Sequence, residues 1–264
     1  MPYDDTARKY DNIRRGVKEP SPLGTGLFLG LRSLDPFFQY AILAQGVGSA
    51  LIRKLGGQTL AHGPPLLTGT FIDRLDLSPY RLILLAMAAG SAVKQNYWLV
   101  GISHETFPPS AALMVSAFNT AFNSMNSLLF VCQATSASVN GEHFPQIPLL
   151  VGAGLYTIGI LTESISEWQR KNFKADPANK GKVYRGGLFS LARHINYGGY
   201  TLWRCGYSLA AGGWVWGAAI GAFFFWDFSH RAIPVLSQYC EDRYGEQWEQ
   251  YKARTPWKLL PYVY

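Results

Sequence analysis

The chain is expected to be all-α: a polytopic membrane helix bundle of six or seven transmembrane helices with a cytosolic C-terminal helix. Three observations predict this. Charged residues make up only 16% of the 264 residues while aromatics reach 14%, against about 25% charge in an average soluble domain. The charges gather near the N-terminus, in 167–193 and in the last 25 residues, and long apolar stretches lie between them. The stretches approach the roughly 20 residues that cross a ~30 Å hydrocarbon layer. This uneven spread explains a mean hydropathy of only +0.01.

In chain order, the start MPYDDTARKYDNIRRG has no apolar core of the kind a cleavable signal peptide carries. Residues 1–33 read as a cytosolic or interfacial arm, in which 22–31 is too short to span alone. Spans are expected at about 35–53, 79–100, 110–132, 146–167, 191–211 and 213–235. From about Pro234 the tail reads as a helix on the membrane surface, closing with TPWKLLPYVY. No repeat divides the chain, so 1–264 is taken as one integral membrane domain with about 165–264 as a cofactor-binding half. Cys132, Cys205 and Cys240 have no CxxC spacing, so neither a disulfide framework nor a metal site is indicated.

Orientation follows from Lys and Arg. Seven of them and a single acid, Asp176, lie between Arg170 and Arg193, whereas 133–145 contains none. The first segment and the C-terminus are therefore expected in the cytosol, and the second in the lumen.

Polar residues within the spans need partners or a ligand, because lipid offers none. Asn119, Asn123 and Asn126 fall at i, i+4 and i+7 and share one helix face. They read equally as interhelical glue and as a substrate-binding lining. Glu163, Glu167, Arg170 and Lys174 form a second stripe, in which Glu163 is deep enough to need a specific partner. Lys94 and Tyr97 close the second span, the lysine as a snorkelling cation and the tyrosine as an interfacial anchor or proton donor.

The C-terminal hundred residues carry the most specific pattern. It runs from Trp168 to Pro177, through Gly187–Phe189 and RHINYGG at Arg193–Gly199, to YGEQWEQY at Tyr244–Tyr251 and PWKLLP at Pro256–Pro261. The order of these pieces resembles the membrane superfamily of steroid 5α-reductases, sterol reductases and their DUF1295 relatives, with isoprenylcysteine methyltransferases more distant. The resemblance implies an enzyme that holds NADPH in its cytosolic half and reduces a carbon–carbon double bond in a steroid-like, terpenoid or other lipophilic enone. It implies an endoplasmic-reticulum location, no nucleic-acid partner, and Lys174, Tyr184, Arg193, His194, Asn196, Tyr197, Arg231, Tyr244 and Tyr251 around the cofactor. Tyr97 and Glu163 are the candidates for moving a proton. The chain departs from the pattern at Ile195, where the family has proline, at Tyr200, where many reductases have an acid, and at 234–237, where an acid is expected. A redox-neutral isomerase or cyclase, or an S-adenosylmethionine-dependent methyltransferase, fits the same scaffold.

Overall fold

Proline marks most of the helix starts. In the computed structural model, which describes residues 17–103, 105–138 and 143–264, it occupies the first or second position of α1 (Pro22–Gln45), α3 (Pro79–Tyr97), α4 (Pro109–Val131), α5 (Ile147–Ala175) and α7 (Ile233–Tyr244). The missing N–H costs nothing there, since the first turn has no intrahelical acceptor for it. The short α2 (Ser49–Lys54), the long α6 (Ile195–Asp227) and α8 (Glu246–Arg254) complete the set. All regular structure among the described residues is helical apart from one antiparallel bridge between Thr59 and Cys132.

The N-terminal third corrects the expected layout. One helix runs from Pro22 through Pro36 to Gln45 and stops where Gly46 takes a left-handed conformation (φ 75°). It joins the segment read as too short to span with most of the first expected span, so residues from Pro22 onward are not an arm. Arg32 and Asp35 look like a boundary in the sequence, yet both are buried on the inner face. Residues 1–16 lie outside the described region, as do residues 139–142 of the 133–145 loop.

Among the described residues, two helical stretches, Ile147–Ala175 and Ile195–Tyr244, are long and apolar enough to cross a membrane by length and composition. The expected six or seven spans are not reached on that criterion. Inward-facing Arg32, Asp35 and Gln39 interrupt α1, Arg81, Lys94 and Gln95 interrupt α3, and the asparagine stripe interrupts α4.

Gly213 (φ 77°, ψ −169°) breaks α6 into two arms. Side chains pair antiparallel across them: Gly217 lies against Leu209, Gly221 against Cys205, and the ring of Tyr200 is 5.2 Å from that of Phe224. The two final expected spans are thus a helical hairpin.

The first arm packs on α5 through glycines. A Cβ on Gly159 would stand 2.4 Å from the Trp203 amide nitrogen, and one on Gly206 would stand 2.5 Å from the Gly152 carbonyl oxygen. Small residues let the backbones meet, as in membrane helix pairs. Leu84, Phe130, Trp203 and Tyr207 fill the core where α3, α4 and α6 converge. Tyr80 also donates a hydrogen bond across it to the Ala210 carbonyl (2.7 Å). The expected surface helix is two helices, α7 and α8, folded at Gly245 (φ 48°), with Trp248 and Tyr251 of α8 buried.

Candidate functional site

A cavity of about 790 Å³ opens at the end of the bundle where α5 finishes and α6 begins, and runs inward to Asn119 and Tyr200. That volume lies in the range of small-molecule and cofactor sites. Its outer part is cationic and aromatic, its inner part apolar with a polar floor.

The outer part is assembled by the C-terminal half. Arg170, Lys171 and Lys174 come from the last turns of α5, and Arg193, His194, Asn196 and Tyr197 from the entry to α6. Residues 255–258 hold that entry in place. The amides of Arg193 and His194 donate to the carbonyls of Trp257 (3.0 Å) and Lys258 (2.8 Å), and Arg193 Nη1 donates to the Thr255 carbonyl (2.5 Å). A Cβ on Gly198 would lie 2.2 Å from the Leu259 carbonyl oxygen, so the tail requires glycine there. Lys174 Nζ lies 2.9 Å from the Tyr244 hydroxyl and 4.7 Å from the centre of its ring. Tyr251 donates to the Phe189 carbonyl (2.5 Å). Burial pushes the hydroxyls of Tyr184 and Tyr251 up, which keeps both rings neutral.

Two features of this region suit a polyanionic ligand. No acid among the described residues is within ion-pair distance of Arg170, Lys171, Lys174 or Arg193. Arg193 Nε, Asn196 Oδ1 and Trp248 Nε1 are buried without a hydrogen-bond partner among the described residues. A buried polar atom left unpaired is costly, so these three are places where a bound group would gain. The residues present therefore fit a phosphorylated nucleotide.

Deeper in, Lys94 Nζ sits between two carboxylates one helical turn apart on α5. It is hydrogen-bonded to Glu163 and lies 3.1 Å from Glu167. The other oxygen of Glu163 accepts from Trp203 Nε1 (2.7 Å). All three charged groups border the cavity, beside a chamber walled by Phe28, Trp98, Val115, Phe118, Phe223 and Phe224.

The floor is a network of buried polar groups. Arg32 donates from Nε to Gln95 (2.7 Å) and pairs with Asp35 (3.1 Å). Asp35 accepts from Asn123 (2.6 Å) and Gln39 (3.0 Å). Arg204 donates to Asn119, to Asn123 (3.1 Å) and to the Tyr200 hydroxyl (3.1 Å). Asn126 accepts from Ser208 (3.1 Å) and Trp216 (2.7 Å).

The structure thus gathers the expected cofactor residues in one place. Lys174 and Tyr184, the Arg193–Tyr197 set, Arg231, Tyr244 and Tyr251 all line the cavity, though Arg231 is already paired with Asp227 (2.6 Å). Of the two expected proton-moving residues, Glu163 lines it and Tyr97 does not. Tyr97 is half exposed, its ring against Gly101. The asparagine stripe divides. Asn119 reaches the cavity, while Asn123 and Asn126 tie α4 to α1 and α6. Sequence reading missed Arg32, Asp35, Arg204 and Trp248. An ionisable residue inside an apolar helix, as Arg204 is, was the signal that could have found it.

The family described as "Protein of unknown function (DUF1295)" matches residues 111–255. A "Probable O-methyltransferase ustE" of Ustilaginoidea virens is 45% identical over 237 residues, 88% of this chain and 84% of that one. The "7-dehydrocholesterol reductase" of Danio rerio is 31% identical over 91 residues, 33% of this chain and 18% of its own length. The "3-oxo-5-alpha-steroid 4-dehydrogenase 1" of Homo sapiens is 38% identical over 84 residues, covering 31% and 32%. The chain therefore spans only a third or less of the length of these last two relatives, but most of the methyltransferase-named one. With more than half its residues inside the family match, and the cavity's outer wall built largely from them, the chain belongs to the steroid 5α-reductase-like DUF1295 family.

Proposed function

We propose that the protein is a membrane-embedded, NADPH-dependent reductase of a carbon–carbon double bond in a steroid-like, terpenoid or other lipophilic enone. The observation that carries this reading is the set of acid-free cations, Arg170, Lys171, Lys174 and Arg193, around the unpartnered atoms of Arg193, Asn196 and Trp248. Lysine neutralises phosphate as a point charge and arginine as a planar fork. A 2′-phosphate on the nucleotide adds negative charge that such a mouth favours.

When bound, NADPH supplies hydride to the electron-poor carbon of the substrate. The chain's own residues bind and orient. Asn196 Oδ1 and Trp248 Nε1 offer an acceptor and a donor to the cofactor, and the α5 cations hold its phosphates. Phe118, Phe223 and Phe224 enclose the lipophilic partner and keep water from the reacting carbons. Glu163 and Glu167 hold Lys94 at the junction of the two regions.

Exposed Leu34 and Phe37 on α1, Val93 on α3, Leu113 on α4, Ile158 and Leu161 on α5 and Val215 on α6 support a bilayer around the bundle. In this reading the helices that fall short on hydropathy also span, with their polar groups turned inward, and the basic mouth and C-terminus face the cytosol of the endoplasmic reticulum.

The 45% identity to a protein named as a probable O-methyltransferase supports a second reading, methyl transfer from S-adenosylmethionine to an oxygen of the same kind of substrate. That cofactor carries a net positive charge, which the acid-free cations oppose. Purified protein given an enone lipid and NADPH deuterated at the transferable position should place one deuterium in the product. Transfer of a labelled methyl group from S-adenosylmethionine, with no deuterium incorporated from NADPH, would overturn the reductase reading.

A further inference from the structure

We infer that Tyr200, backed by Arg204, is the hydrogen-bond and proton donor to the carbonyl oxygen of a conjugated ketone bound in the inner chamber. The reaction it serves rests on the reductase reading above, but its contact with a carbonyl does not.

Tyr200 lies about one and a half turns into α6 and borders the cavity at its polar floor. Its ring is fixed on three sides, by Trp203 (4.8 Å), Phe224 (5.2 Å) and Phe228 (5.5 Å between centroids). The hydroxyl oxygen accepts from Arg204 Nε at 3.1 Å. Among the described residues its proton has one nearby acceptor, Asn119 Oδ1 at 3.5 Å, well beyond the usual 2.5–3.0 Å for such a bond. That oxygen already accepts from Arg204 and from Gln95 (2.7 Å). The phenol therefore has its lone pair engaged by a cation and its O–H uncommitted, at the edge of an apolar chamber.

The polar groups beside it are engaged with one another or with the backbone. Asn119 Nδ2 donates to the Val115 carbonyl (2.7 Å) and Gln95 to Asn119. Both oxygens of Glu163 accept bonds, from Lys94 and from Trp203. A carboxylate so held is an acceptor, not a donor. Tyr97 stands outside the cavity. Arg204 itself is fully buried, and its guanidinium lies 4.4 Å from the centre of the Trp203 ring. It is a positioning residue that acts through Tyr200.

In the step, a bound NADPH would supply hydride to the β-carbon of the enone, a two-electron reduction that would leave NADP⁺. The π electrons shift toward the carbonyl oxygen. The Tyr200 O–H bond breaks as a new O–H bond forms on the substrate, giving an enol that returns to the saturated ketone. The electron pair left on the Tyr200 oxygen faces Arg204 Nε, and water entering through the mouth restores the proton. The substrate class is thus a lipid bearing a carbonyl conjugated with the bond to be reduced.

The test uses the full-length protein in detergent and a steroid enone labelled with ¹³C at its carbonyl, bound without NADPH and read by infrared difference spectroscopy. The wild-type carbonyl band should shift to lower frequency on binding. Tyr200→Phe should return it to its position in hydrocarbon and weaken binding about threefold to tenfold, the worth of one hydrogen bond. Arg204→Lys should reduce the shift, and Tyr97→Phe should leave it intact. With NADPH present, Tyr200→Phe should lower turnover by about a hundredfold or more, while the NADPH Kd is unchanged. An unaltered carbonyl shift in Tyr200→Phe, or a probe that binds unshifted or fails to bind wild-type protein, overturns the assignment. A carbonyl shift that depends on Tyr200 in a protein that does not bind NADPH would overturn the reductase reading alone.

Discussion

Gly159→Leu should leave no monodisperse protein after detergent extraction. At this position a Cβ would meet the Trp203 nitrogen at 2.4 Å and the Gly199 carbonyl oxygen at 2.6 Å. Overpacking a core costs about 1–3 kcal/mol where side chains can shift. Here the obstacles are backbone atoms of a helix, so α5 and α6 would have to separate along their whole seam. The cavity's two walls would part with them, since Glu163 and Arg193 sit at the cavity end of that seam. Gly154→Leu on the exposed side of α5 is the control. A Cβ there meets nothing within 4 Å, and the variant should elute and melt as the parent does. Size-exclusion chromatography of the two variants, side by side, checks the expectation.

Lys94→Met should be the most damaging change within the cavity wall. It removes the one cation held between Glu163 and Glu167, both buried. Breaking a buried ion pair from one side costs about 3–5 kcal/mol, because the remaining charge has lost its partner. The sign can be verified by a second substitution. Adding Glu163→Gln to Lys94→Met should recover part of the loss, since one fewer carboxylate is then left unpaired. Adding Glu241→Gln, far out on α7 in an exposed pair with Lys252, should recover nothing. Thermal unfolding of the three proteins in one detergent gives the comparison.

How much of this was legible in the sequence depended on whether a signal was local. The hairpin was, because two apolar runs flank Gly212 and Gly213. So was the outer wall of the cavity, because a basic loop, RHINYGG and an aromatic tail follow one another in a recognisable order. The long first helix was not. Arg32 and Asp35 read as a boundary when only neighbours are considered, and become interior residues once α3 and α4 supply Gln95 and Asn123 as partners. The asparagine stripe was visible as a stripe, but its division was not. Asn119 differs from Asn123 only in how far along α4 the cavity reaches. Tyr97 was read as an interfacial anchor or a proton donor, and neighbouring residues alone could not choose between them. Its helix turns it outward, and Lys94, three residues earlier, takes the inner position instead. The role given to Tyr200 needed Arg204 one turn later on the same face, and the lack of a free acceptor for its proton is a three-dimensional fact.

The central claim is that the cationic mouth holds a phosphorylated dinucleotide. Calorimetric titration of the purified protein with NADPH, NADH and S-adenosylmethionine tests it most directly, repeated at two salt concentrations and with Asn196→Ala and Arg193→Ala. NADPH should bind tightest, and its advantage over NADH should shrink as salt rises, because screening weakens the attraction of the extra phosphate to the α5 cations. Each substitution should weaken NADPH by removing a hydrogen-bonding group from the wall, by about threefold to tenfold for the neutral asparagine and by more for the charged arginine. Tight binding of S-adenosylmethionine with no heat from NADPH, or NADPH binding that is insensitive to both salt and Arg193, would contradict it.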